Sequence, residues 1–122
     1  MSRKQQIINC AIKAGVIDDD LKAIGIMDLD GLKKTVNDVY AAFPDNFFHT
    51  FAVKANALVN VLKPLREYGM GAEVASPGEL MIAREAEFSA KDIIFDSPAK
   101  TIADLRTCIE HNISLNIDNL QE

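Results

Sequence analysis

The chain has 122 residues, 48% hydrophobic and 25% charged, which is the balance of one ordinary globular domain rather than a disordered tail, a fibrous repeat or a disulfide-stapled mini-protein. No apolar run approaches the ~18–20 residues of a bilayer span, and Met1-Ser2-Arg3-Lys4-Gln5-Gln6 has no apolar stretch behind its charges, so a cytoplasmic protein without a membrane segment or secretory leader is expected. Lys and Arg number 13 against 18 Asp and Glu, a formal charge of −5, and without a basic cluster to neutralise phosphates nucleic acid is not an expected partner.

Ile7, Ile8, Ala11 and Ile12 share one helical face and predict a first helix, with Gly15 just past its end. The acidic run Asp18-Asp19-Asp20 reads as a solvated turn, and Ile24-Gly25-Ile26-Met27-Asp28 as a short strand. Asp30 is expected to cap a second helix whose apolar face carries Leu32, Val36, Val39 and Tyr40, with Pro44-Asp45-Asn46 as its stop. Phe47 to Val53 predicts a strand. Leu58, Val61, Leu62 and Leu65 recur at helical spacing, and Pro64 within them predicts a kink or a late start. Gly69 to Ala75 reads as a turn and short strand, with a helix through Leu80, Ile82 and Ala83 after it. Ile93-Ile94-Phe95 is the next strand, Ile102, Leu105 and Ile109 mark the next helix, and Ile113 to Ile117 a further strand.

Strands and helices therefore alternate four times with short connections, the pattern of βα units in a parallel sheet. Ser76-Pro77-Gly78-Glu79 has Ser at N-cap, Pro at the first helical position and Glu at the third, a capping box. Ser97-Pro98 is expected to do the same before the next helix. Both lie at the C-terminal ends of strands, the edge where β/α folds bind ligands. Gly69 and Gly71 lie at the opposite edge and lack the third glycine of a dinucleotide fingerprint. Cys10 and Cys108 have no Cys-x-x-Cys partner and read as reduced, buried thiols. His49 and His111 have no ligand-like spacing, so no metal is expected.

Lys54 is the residue placed for chemistry. It ends the apolar Phe51-Ala52-Val53 and precedes the small Ala55-Asn56-Ala57. From position alone it is either a surface lysine reaching into solvent or an amine facing the active-site edge, available for a Schiff base.

Five segments in order resemble the fold-type III pyridoxal-phosphate enzymes. Phe51-Ala52-Val53-Lys54-Ala55-Asn56 is similar to that family's cofactor-lysine strand. Leu65 to Leu80, with Gly69-Met70-Gly71-Ala72-Glu73-Val74-Ala75-Ser76-Pro77-Gly78-Glu79, resembles its next strand and helix start. Ile93 to Thr101, Asn116 to Glu122 and Ile26 to Leu32 resemble three more segments. Leu58-Val59-Asn60-Val61 after Ala57 resembles the decarboxylase branch rather than the alanine racemases. The resemblance implies an α/β fold, a partial (β/α)8 TIM barrel of about four βα units with parallel strands. Residues 1–23 would form an N-terminal helical extension, and residues 24–122 the first part of an alanine-racemase-like barrel. A closed barrel takes ~250 residues, so this chain would hold roughly half of one.

The implied activity is that of a diaminopimelate- or ornithine-decarboxylase-like enzyme, a homodimer in the family, acting on a small amino acid. Lys54 would bind pyridoxal phosphate as a Schiff base. Glu73, where the family has Asp, and Glu79 would lie beside the cofactor. Glu79 is also the third helical residue of the capping box. Lys100 matches a recurrent family residue and reads either as a site residue or as a solvated charge. The family's phosphate loop, pyridine-nitrogen acid, stacking His and partner-subunit Cys-Asp pair have no match here, so the chain alone is not expected to decarboxylate. The alternatives are a catalytically inactive half-barrel acting as a binding or dimerisation module, a racemase-type enzyme, and a small carrier of pyridoxal phosphate.

Overall fold

The computed structural model describes residues 1–18, 20 and 23–122. Asp19, in the middle of the acidic run, lies outside the described residues; Asp18 accepts a hydrogen bond from the Asp20 amide at 3.1 Å. The chain divides into two compact units, Met1–Asp30 and Gly31–Glu122.

In the first unit, α1 (Arg3–Lys13) begins at Ser2, whose hydroxyl accepts from the Gln5 amide. It ends at Ala14 and Gly15, which takes φ +67, the left-handed geometry that glycine supplies at least cost after a helix. The strand expected at residues 24–28 is absent: residues 23–28 are irregular. A strand needs a hydrogen-bonded neighbour, and here Ile24 and Ile26 instead line a groove with Ile7, Ile8 and Ile17. Cys10 is exposed rather than buried. The Arg3 guanidinium grips both oxygens of Asp28, and Asp30 lies 3.6 Å from it. These carboxylates, Asp28 foremost, raise Arg3 above its ordinary value.

Helix α2 (Leu29–Ala42) starts one residue before Asp30. Asp30 is therefore inside the first turn, where its charge opposes the positive end of the helix, and is not the cap. Val36 is buried and Leu32 and Tyr40 pack beside it. The Tyr40 hydroxyl donates to the Gly69 carbonyl at 2.7 Å.

The second unit then runs β1 (Thr50–Ala52), a 3₁₀ turn at Val53–Ala55, α3 (Val59–Glu67), β2 (Gly71–Val74), α4 (Pro77–Glu85), a 3₁₀ turn at Ala90–Asp92, β3 (Ile93–Phe95), α5 (Ile102–Glu110) and β4 (Ser114–Leu115). The four strands form one sheet in the order β1-β2-β3-β4, every pair parallel. β1 is shorter than the expected Phe47–Val53: the His49 carbonyl accepts from the Gly71 amide at 2.9 Å, but the paired register begins only at Thr50, and the His49 ring packs against those of Tyr40 and Phe43, with centroids 4.8 and 5.0 Å away. Pro64 sits inside α3, which runs from Val59 with Leu58 as its N-cap, so the expected late start does not occur; the carbonyl Pro64 cannot bond belongs to exposed Asn60.

Alternation along the strands separates two faces. Ala72 and Val74 of β2 and Ile93 and Phe95 of β3 are at most 1% exposed and form the core with Leu62 and Leu65 of α3 and Leu80 and Ala83 of α4. The other face carries a row in register: Ala52 opposite Glu73, Glu73 opposite Ile94, Ile94 opposite Ser114.

One expectation fails at α5, the Ser97 cap. Its cap is Thr101, in a complete capping box with Asp104. Ser97 instead accepts from the Ala99 amide in a turn. A reciprocal pair satisfies two free donors, whereas Ser97 has no matching acid three residues on. Ile102 and Ile109 are 70% exposed, and Cys108 is the residue α5 buries. Burial raises the Cys108 thiol, with Asp104 adding and Arg84 opposing, so it is a protonated packing group.

Candidate functional site

The C-terminal edge of the sheet collects the chemistry. Val53, fully buried, anchors the 3₁₀ turn that follows β1. Lys54, the next residue, therefore leaves the strand end with a fixed backbone and a free stem, its side chain 63% exposed. It lies in that turn rather than in the strand.

Glu73 rises from β2 on the face away from the helices. Its carboxylate stands 3.7 Å from the Lys54 ammonium and is itself only 20% exposed. The separation is an ion pair at the outer limit of contact, and with Lys54 in solvent it adds little stability, about 0–1 kcal/mol. What it shows is proximity: the amine lies on the side of the sheet that Glu73 faces.

Glu79 is committed elsewhere. Ser76 accepts from the Glu79 amide at 3.2 Å, as a capping serine should. The Glu79 carboxylate reaches the Ala75 amide at 2.9 Å, one residue upstream of a standard capping box. It thereby fixes the exit of β2, and among the described residues no ion pair joins it to Lys54. The structure thus brings Lys54 and Glu73 together and puts Glu79 on the loop backbone behind them.

Lys100 is no solvated charge. Its side chain has no exposed surface, and Asp118 and Glu122 converge on it. No local signal could have paired residues 18 positions apart. Asp118 bonding raises the ammonium above its ordinary value, burial opposes this, and Glu122 adds to it. A raised value means that the stabilisation is complete below the unfolded lysine value, about 10.4, and is lost as pH climbs through the folded one. The stability difference between the wild type and Lys100→Met, from urea unfolding, should therefore be flat from about pH 7 to 9 and shrink above about pH 10.4. A difference that already shrinks between about pH 7 and 9 contradicts this.

Among the described residues no helix is long and apolar enough to cross a membrane, and no group of three or more His, Cys, Asp or Glu side chains is placed to hold a metal.

Residues 29–122 match the family described as pyridoxal-dependent decarboxylase, pyridoxal binding domain. The diaminopimelate decarboxylase of Bacteroides thetaiotaomicron is 36% identical over 88 residues, 71% of this chain and 22% of that protein. The L-glutamyl-[BtrI acyl-carrier protein] decarboxylase of Niallia circulans is 44% identical over 62 residues, 51% of this chain and 14% of that protein. Among solved structures, the diaminopimelate decarboxylase of Methanocaldococcus jannaschii superposes with a TM-score of 0.72 at 32% identity, over 78% of this chain and 24% of that one. The chain spans less than a quarter of the length of each of these proteins.

Proposed function

The chain belongs to the pyridoxal-dependent decarboxylase family, matching its pyridoxal-binding domain over residues 29–122, and from that premise we propose that it is the cofactor-lysine segment of a carboxy-lyase acting on a diaminopimelate- or ornithine-type amino acid. The observation that carries this is the Lys54 amine at the C-terminal end of β1, with Glu73 at 3.7 Å.

The donor set suits pyridoxal phosphate: an exposed primary amine for its aldehyde and a carboxylate beside it to orient that amine. When bound, the cofactor supplies an electron sink for the carbanion left by loss of carbon dioxide. Lys54 is the attachment residue. Glu73 is the carboxylate that would orient the Lys54 amine. Glu79 acts one step back, keeping the Ala75 backbone and the start of α4 in place. The whole protein is proposed to be a cytoplasmic homodimer in which the rest of the barrel completes the cofactor site. The 122-residue chain by itself is proposed to bind the cofactor without releasing carbon dioxide at enzyme-like rates.

The test is covalent capture. The chain is mixed with pyridoxal phosphate, reduced with borohydride and digested, and the pyridoxyl mass is located by peptide sequencing. The label is expected on Lys54 in preference to the other lysines, and Lys54→Ala should remove that preference. Equal labelling of surface lysines in wild type and variant alike would sink the assignment.

A further inference from the structure

The segment that follows β4 has no apolar reason to stay where it is. Ile117 is 59% exposed and Leu120 fully so, so burial does not anchor residues 116–122. What holds them is polar. The Asn116 amide extends the sheet ladder to the Phe95 carbonyl at 3.1 Å, and beyond that the contacts run to one cation. Lys100 Nζ donates to the Ser97 carbonyl and to Asp118 Oδ2 and is ion-paired with Glu122 Oε2 at 3.0 Å. Three oxygens thus surround an ammonium that has three donors. Glu122, its side chain 9% exposed, also accepts from the Asp118 amide at 3.2 Å and from Asn119 Nδ2 at 3.1 Å, which closes the segment on itself. A cation withdrawn from water is tolerated only when fully paired, and deleting it strands its partners. Without Lys100, two carboxylates would be left facing each other.

We infer that Lys100 is a positioning residue that pins the segment after β4 to the loop after β3 and so sets the rim of the sheet's C-terminal edge at the end away from Lys54. The inference deepens the reading of that edge as the cofactor side and rests on it for its functional meaning. The pin itself is independent of any bound molecule.

Hydrogen exchange on the complete chain tests it, read at the Asp118 amide and, as an internal reference, at the Phe95 and Ala72 amides of the sheet. Lys100→Met should speed exchange at Asp118 on the order of 10-fold or more, the effect of losing a charge-assisted anchor, and leave the sheet amides near their wild-type rates. Lys100→Arg, which keeps the cation, should restore slow exchange at Asp118. Unchanged exchange at Asp118 in Lys100→Met overturns the inference. So does equal loosening of Phe95 and Ala72, which would make Lys100 a general stability residue. So does an arginine variant as loose as the methionine one. The exchange readout needs no cofactor, so it stands apart from the borohydride capture at Lys54: failed capture removes the functional meaning of the rim, and failed protection removes the pin.

Discussion

Phe95→Ala is expected to cost about 3–5 kcal/mol, the usual range for deleting a fully buried aromatic side chain. Phe95 is 1% exposed and heads the buried side chains by volume. It stands in register with Val74 on one side and Leu115 on the other, on the face the helices cover. Its removal opens a cavity that such short strands cannot close by shifting, because each is tied to its neighbours through the ladder. A small domain holds about 5–15 kcal/mol in total, so this single change consumes a large part of it. Urea unfolding should show the midpoint collapse. Ile102→Ala and Ile109→Ala, at positions 70% exposed, are the controls and should move stability by less than about 0.5 kcal/mol. A Phe95→Ala midpoint within error of those controls would refute the core assignment.

The contrast between Phe95 and Ile109 shows what could be read from residues and what could not. Strand positions were legible because each βα unit repeats a run of β-forming residues, a short turn and a helical period; the observed starts at 50, 71, 93 and 114 follow that rhythm. Strand lengths were not, since a parallel strand runs only as far as its neighbour pairs with it, and β1 pairs with β2 only from Thr50 opposite Gly71. In α5 the isoleucines marked the helix but not the side it buries, which carries Cys108. A nine-residue helix has too few turns for periodicity to fix its rotation. At the candidate site, position alone left Lys54 open and the family resemblance singled it out, whereas its pairing with Glu73 depends on the register Ala52 opposite Glu73, which only the sheet supplies. Glu79 was legible as the helix's third residue, but its bond to Ala75 rather than Ser76 was not. The Lys100 cluster escaped because a loop after β3 and a segment after β4 meet only once the sheet has formed.

That dependence on the sheet makes Gly71 the second sensitive position. A Cβ built at Gly71 would lie 2.4 Å from Phe48 Cζ and 2.6 Å from the Asp92 carbonyl oxygen, both well inside contact distance. The Phe48 ring, 48% exposed, can swing away. The Asp92 carbonyl cannot, because it belongs to the backbone of the 3₁₀ turn that delivers β3. Gly71→Val must therefore push β2 off β3 at the pairing of Ala72 with Ile93, and that movement would also shift Glu73, two residues on, relative to Lys54. The expected cost is at or above the top of the overpacking range, about 3 kcal/mol. Gly71→Ala should cost less, and adding Phe48→Ala to it should recover only part of the loss, since the backbone clash remains. Full recovery in the double variant would mean that the ring alone makes the site tight. No loss in Gly71→Val would mean that β2 and β3 are not held together as the register requires.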